Sequence, residues 1–341
     1  MKVLVLANIT PFQPGGADYH IEGLVHHLRA FGHEVGSLRL PFNFASYPQM
    51  QSLMDFCEQQ DFNYFNGEPI DRVISLQFPV WGASHNEHSS WIMHQHRVAY
   101  ELYEQQPGSV ELDSFRDKVI DFDNRTLKKV KRLFSNSRTV ANRLERFNGL
   151  AAEPLYHPPF AADRFYCEAS YDYVFYPSRF ESLKRQELLI EAARYLETPV
   201  RLILSGTGGR LDHCRALVEQ YDLGERVRLT GRISEEQKLA YYARALAVYF
   251  GPFDEDYGYV TLEAMLSAKA VLTTNDAGGP LEFVTDGDSG FVVPPEPRAI
   301  AAAIDDIYRN KSRTREMGQR GRELYTQKEI TWQRVIETLL A

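Results

Sequence analysis

Lys2-Val3-Leu4-Val5-Leu6-Ala7 opens the chain as a nearly unbroken apolar run, the pattern of a central parallel strand buried on both faces. A loop with Pro11, Pro14, Gly15 and Gly16 follows, and Ile21, Leu24, Val25 and Leu28 then recur at helical spacing over 18–31. Gly32-His33 stops that helix, and 34–38 starts another strand. Strand, glycine loop, helix and strand form a βαβ unit of an open α/β sheet.

The alternation continues outward from this unit. Strands are expected at 72–76, 91–93 and 130–134, with helices at 97–103 and 113–129. Beyond the Pro-rich segment 154–160, strands at 173–176, 200–205, 227–230, 247–250 and 270–273 alternate with helices at 186–196, 211–221, 235–245 and 260–268. A last helical segment covers 323–340, with no strand after it. Two such series predict an α/β protein of two Rossmann-like, doubly wound domains, 1–160 and 161–322, followed by helix 323–341. Domains of this kind facing a central cleft bind ligands beyond the carboxyl ends of their strands.

Composition narrows the partners. The chain has 341 residues, 44% of them hydrophobic and 25% charged, a globular balance. The net charge, 38 − 46 = −8, leaves no global basic surface for coating nucleic acid. No run approaches the roughly 20 apolar residues that cross a bilayer, and no charged, cleavable leader precedes the first strand. Cys57, Cys167 and Cys214 are far apart and in no metal-like spacing. A cytoplasmic protein with free thiols is expected.

The chemistry-bearing residues lie in loops that follow strands. Gly15-Gly16, ahead of a helix, let the backbone approach a ligand and offer an anion the helix amino terminus. Gly206-Thr207-Gly208 also follows a strand, but Leu211 stands where a dinucleotide fingerprint needs its third glycine, and there is no Walker lysine motif. A nicotinamide enzyme and a P-loop ATPase are both disfavoured. Arg179 and Lys184, just past the strand at 173–176, can neutralise a diphosphate whose charge grows as a bond breaks. Glu181, Arg185 and Glu187 could equally make them a solvated, balanced group. The most specific pattern is Asp254-Glu255-Asp256-Tyr257-Gly258-Tyr259-Val260-Thr261-Leu262-Glu263-Ala264-Met265. It puts Glu255 in a loop and Glu263 eight positions later in a helix, so that two carboxylates can accept hydrogen bonds from vicinal hydroxyls of a sugar or ribose. Glu263 sits between apolar neighbours and needs a partner.

The spacing of Glu255 and Glu263, with Gly258 and the Glu-Ala-Met ending, resembles the retaining glycosyltransferases of GT-B family 4, most strongly over 173–295. The resemblance implies the GT-B fold and transfer of a hexose from a nucleotide diphosphate sugar, a UDP-sugar foremost, to a glycan or lipid-linked hydroxyl. It implies that Glu255 contacts the donor sugar, that Glu263 contacts the ribose and that Arg179 and Lys184 hold the diphosphate. Gly15-Gly16 matches the amino-terminal glycine loop, and 227–231 with Arg232-Ile233 matches the segment that cups the base. Gly206, Tyr257, Gly258, Tyr259 and Val260 complete the candidate donor set. Segments 275–280 and 286–294 match two further stretches, the latter mainly structural. Arg185 departs from the pattern, which often has glycine after the lysine. The resemblance also implies a last helix that crosses back to the first domain, and it admits a peripheral visit to the inner face of a membrane.

A histidine at a strand end in the first domain completes the implied site. His94, the first residue past the apolar run 91–93, is preferred over His96. His85 and His88 lie close by, but their spacing matches no zinc motif. Asp254-Glu255-Asp256 spells an acidic triplet of the kind that holds a divalent ion, as do Asp121-Phe122-Asp123 and Asp286-Gly287-Asp288. Because Arg179 and Lys184 can do the ion's electrostatic work, catalysis is expected to need no metal and no cofactor. A sugar-nucleotide epimerase of the same shape and an inactive sugar-nucleotide binding protein are the alternatives. The acceptor is expected on the first domain, where 41–96 is rich in aromatics that stack on sugars or, more commonly, pack a core.

Overall fold

The structure is a computed structural model and describes residues 1–12, 15–105 and 109–341, so Pro14 lies outside the described residues. The opening run is strand β1 (Lys2–Ile9), and α1 (Gly16–Ala30) and β2 (Glu34–Pro41) complete the βαβ unit. Helix α2 (Tyr47–Glu58), a short hairpin of β3 (Tyr64–Phe65) and β4 (Glu68–Pro69), then β5 (Arg72–Ser75) and β6 (His88–Ile92) follow. Helix α3 (Val110–Thr126), β7 (Arg132–Ser135), α4 (Arg138–Asn148) and β8 (Glu153–Pro154) end the first series. Among the described residues the main sheet runs β2-β1-β5-β6-β7-β8, and its pairings are parallel.

The second series is β9 (Tyr173–Pro177), α5 (Gln186–Ala192), β10 (Arg201–Ser205), α6 (Leu211–Gln220), β11 (Val227–Leu229), α7 (Glu235–Arg244) and β12 (Ala247–Tyr249). It continues through α8 (Tyr259–Leu266), β13 (Val271–Thr274), β14 (Gly290–Val293), α9 (Pro297–Arg309) and α10 (Lys311–Gln327), and α11 (Trp332–Leu340) ends the chain. Its parallel sheet runs β11-β10-β9-β12-β13-β14. Numbered within the unit this is the doubly wound order 3-2-1-4-5-6, with the switch point between β9 and β12.

Two compact units result: 1–160 with 331–341, and 161–330. In the first, Ile21, Leu24 and Leu28 of α1 cover Val3, Val5 and Ala7 of β1, and Val335, Ile336 and Leu339 of α11 close the same core. In the second, Val174, Tyr176, Leu202 and Leu204 face one core, while Phe175, Ile203 and Val248 face the other. Burial on both faces is why these strands read as apolar runs rather than as an alternation.

Two expected helices differ. The segment 97–103 is a pair of single 3-10 turns, Arg97–Ala99 and Tyr103–Gln105. Tyr100 leaves helical geometry at φ −122°, ψ −113° and puts its hydroxyl 2.6 Å from buried Asp123 Oδ2. The segment 323–340 is not one helix, because Glu329 adopts φ +50° and Thr331 starts a new one, its hydroxyl accepting from the Arg334 amide at 3.2 Å. The chain therefore leaves the second unit after Ile330 rather than at 322, and α10 stays with that unit.

Candidate functional site

At the switch point of the second sheet the chain diverges from β9 toward β10 on one side, with β12 on the other. The loops after β9 and β12 therefore stand side by side, and they carry Arg179, Lys184 and Glu255. The loop after β9 lies against 205–208: Ser178 and Phe180 donate their amides to the carbonyls of Ser205 and Thr207 at 2.9 and 3.0 Å. Gly206 and Gly208 make this approach possible. At φ +137° and +151°, an added Cβ would sit 2.0 Å from Ser178 O and 2.4 Å from Phe180 O. Gly206, expected at the donor, and Gly208 together shape the loop that presents Arg179.

Arg179 is exposed and pairs with Glu181 at 3.2 Å, a contact of small energy that leaves the guanidinium available. Lys184 donates instead to Glu255 Oε2, with side chains 18% and 19% exposed. Of the neighbouring charges, Glu187 is taken by Arg210 at 2.7 Å and Arg185 is taken by Asp276.

Glu255 owes its placement to the loop after β13. Its amide donates to Ala277 O and its carbonyl accepts from Gly279, both at 2.8 Å. Gly278 must lack a side chain here, since a Cβ would lie 2.6 Å from Glu255 O and its φ is +75°. Segment 275–280 thus frames Glu255. Gly258, at φ +87°, caps α8 and turns the chain so that Tyr257 is buried and Tyr259 and Val260 begin the helix.

Glu263 is 8% exposed and has the partners that burial demands. Lys238 Nζ lies 3.1 Å from Oε1, and the buried Tyr242 hydroxyl donates to Oε2 at 2.6 Å. Burial works against the Lys238 charge, but Glu263 and Glu235 outweigh it and hold its pKa above the usual lysine value. For Tyr242, burial and then the Glu263 charge push the phenol well up. Both partners come from α7, one turn apart. Arg232 is exposed between β11 and α7, and Ile233 packs against the core cluster that contains Phe165 and Tyr242. In 286–294 Asp286 Oδ1 accepts from the Val292 amide at 2.9 Å, tying off a turn.

In the first unit Gly15 and Gly16 start α1, but the Gly15 amide donates to Asp18 Oδ2 at 2.8 Å, and the Asp18 carboxylate also pairs with Arg39. A side-chain carboxylate thus already takes one of the amides expected to face an anion. His94 is half-buried past β6, on the same sheet edge. Its Nδ1 lies 2.8 Å from Gln95 O; a carbonyl only accepts, so Nδ1 carries a proton. His96 is buried among Phe42, Phe78 and Phe115, and burial pushes its pKa down to about 4. His85 and His88 engage Ile70 O at 3.0 Å and Ser75 Oγ at 2.8 Å. Among the described residues no group of three or more His, Cys, Asp or Glu side chains is arranged to hold a metal ion.

Sequence reasoning missed Lys238 and Tyr242, whose relation to Glu263 runs between two helices. The capping box at Ser234 and Gln237 marks α7, yet nothing in the sequence says which face of that helix meets α8.

Among the described residues no helix is long and apolar enough to cross a membrane. Residues 168–324 match the family described as glycosyl transferases group 1. The alpha-1,3/1,6-mannosyltransferase ALG2 of Homo sapiens is 34% identical over 108 residues, 32% of this chain and 26% of that protein. An N-acetylgalactosaminyltransferase of Campylobacter jejuni acting on a diphospho-undecaprenol-linked sugar is 27% identical over 147 residues, 40% of each chain. These matches thus span well under two thirds of the curated relatives. Sucrose-phosphate synthase from Thermosynechococcus elongatus superposes with a TM-score of 0.77 at 18% identity, covering 100% of this chain and 96% of that one. Anabaena HepE in complex with UDP and glucose does so at 0.72 and 18%, covering 99% of each. Residues 168–324 are thus similar to the glycosyl transferases of group 1, and the chain is built on the GT-B fold.

Proposed function

We propose that this chain is a retaining glycosyltransferase of family 4 that moves a hexose from a nucleotide diphosphate sugar, a UDP-sugar foremost, to the hydroxyl of a glycan or lipid-linked oligosaccharide. The observation that carries this reading is the Lys184–Glu255 pair at the switch point of the second sheet, with exposed Arg179 on the same loop as Lys184. It brings together, on the ligand-binding edge of a doubly wound sheet, a cation for the diphosphate and a carboxylate for sugar hydroxyls. The UDP complexes of Anabaena HepE support the choice of base, and the Campylobacter relative supports a lipid-linked acceptor.

In this reading Arg179 and Lys184 stabilise the departing diphosphate, Glu263 accepts from the ribose, and Glu255 orients the sugar. In the first unit we assign His94 to the sugar and the helix start at Gly15 and Gly16 to the phosphates. The anomeric carbon–oxygen bond to the diphosphate breaks as the acceptor oxygen bonds on the same face, and the acceptor proton passes to the leaving phosphate oxygen. The two cations take the place of a divalent ion, so the reaction needs no metal.

The test is thermal stability of the chain against UDP-, GDP-, ADP- and TDP-sugars, each with EDTA or magnesium. A rise with one donor in EDTA is expected, growing with concentration as RT ln(1 + [L]/Kd). A rise only with magnesium would overturn the metal-free reading, and no rise with any donor would overturn the donor site itself.

A further inference from the structure

Arg185 follows Lys184 directly and stands at φ +50°, ψ +44°, in the left-handed region. That conformation is unfavourable for any residue with a Cβ and natural for glycine. An arginine kept there must offset the backbone cost with its side chain, and the contacts show how. Arg185 Nε donates to Gly251 O at 3.1 Å and Nη2 to Pro252 O at 2.6 Å, which fixes the chain just past β12. Nη1 and Nη2 donate to the two Asp276 carboxylate oxygens at 2.7 and 2.8 Å, and Nη2 also reaches Thr274 Oγ1 at 3.0 Å, which fixes the chain just past β13. Burial opposes the Asp276 charge, but the Arg185 bonds prevail and hold its carboxyl below the usual range.

Both clamped loops converge on Glu255. The carbonyl of Asp276 accepts from the Asp254 amide at 2.9 Å, and Ala277 O accepts from the Glu255 amide at 2.8 Å. One planar fork therefore ties the backbone before Glu255 to the backbone beside it, while the preceding residue meets the Glu255 carboxylate. Lysine has the charge but not the geometry, because bidentate pairing with a carboxylate needs the rigid guanidinium.

We propose that Arg185 is a positioning residue of this site, locking the loops after β12 and β13 into one frame that holds Glu255 against Lys184. The functional consequence rests on the reading of Glu255 as a donor-sugar contact; the clamp itself does not.

Arg185→Gly is the primary test, because glycine suits the left-handed backbone and removes only the fork. Arg185→Lys and Asp276→Asn accompany it, and amide hydrogen exchange is followed beside steady-state kinetics with the responsive nucleotide sugar. In Arg185→Gly the Asp254, Glu255 and Gly279 amides should exchange about tenfold faster, while core amides of β9 and β12 keep their protection. The loss in kcat should be on the order of 10²-fold, as expected for a misplaced orienting group, with nucleotide diphosphate affinity unchanged. Arg185→Lys should recover only part of this loss, and Asp276→Asn should reproduce it. Unchanged exchange at the three amides overturns the proposal, as does uniform loss of protection across the unit, which marks plain destabilisation. If the wild-type chain responds to no nucleotide sugar, the donor reading fails alone and the exchange result still decides the clamp.

Discussion

Lys184 donates to Glu255 Oε2 across the switch point of the second sheet, joining two residues 71 positions apart. Each neutralises the other until a diphosphate competes for the ammonium. Lys184→Ala is expected to cut kcat by about 10²–10³-fold, the usual cost of removing one donor that stabilises developing charge. Lys184→Arg should keep much of the rate. Initial-rate kinetics decide, and normal turnover by Lys184→Ala would remove the residue from the mechanism.

Glu263 is buried with Lys238 on one oxygen and Tyr242 on the other, so it serves the fold as well as the proposed ribose contact. Glu263→Ala leaves the Tyr242 hydroxyl without its acceptor and the Lys238 ammonium with Glu235 alone, at a cost of about 1–3 kcal/mol. It should also weaken nucleoside diphosphate binding. Tyr242→Phe removes a donor but leaves Glu263 its lysine, so about 0.5–1.5 kcal/mol is expected. Urea midpoints and calorimetric titration separate the two effects. A Glu263→Ala variant of unchanged affinity would leave the residue a purely structural role.

The legible part of this chain was what local pattern encodes. Strands such as β9 and β10 show as apolar runs because both faces are covered, and the Glu255 to Glu263 spacing is fixed within one loop and helix. Helix α2 is not among the expected helices, although Ser46 caps it and Pro48 sits in its first turn. Helix α4 was also missed, despite a cap at Ser137 and left-handed Gly149 after it. Long-range partners were not legible: Asp276 lies 91 positions from Arg185, and only the crossing of the sheet brings them together. Gly206 and Gly208 read only as an incomplete dinucleotide fingerprint, with Gly206 a donor candidate, whereas in the structure both lie against the backbone of 178–180.

Acid should destabilise the first unit before it affects the candidate site. Burial pushes His20 down to about 3, and burial with a neighbouring histidine pushes His88 and His96 down to about 4. A group with a depressed folded pKa contributes stability above its unfolded value near 6.5 and loses it as pH falls toward the folded value. At pH 5 the loss is about 2 kcal/mol per histidine. Asp123 opposes this, since burial raises its carboxyl to about 7 against its Tyr100 and Trp81 hydrogen bonds. Its contribution grows as pH falls from 7 toward the unfolded carboxylate value, and three histidines outweigh one carboxyl. Urea midpoints should therefore drop between about pH 7 and pH 5, and His96→Phe should flatten the slope by one proton. A midpoint that rises over that interval would show that Asp123 dominates.

The returning helix α11 makes the sharpest packing prediction. Trp332 lies so close to α1 that a Cβ added to Gly23 would sit 2.4 Å from its Cζ2, and the same ring stacks on His27 at 5.0 Å. Gly23→Ala alone should gain helix propensity yet still destabilise by about 1–3 kcal/mol through overpacking. In a Trp332→Leu background the added methyl has room, so the same change should be neutral or mildly stabilising, giving a coupling energy of about 1–3 kcal/mol. Additive effects in that double-mutant cycle would mean that the ring does not require the glycine. Leu339→Ala, at a fully buried position of the same helix, should cost about 2–5 kcal/mol regardless of the Gly23 background.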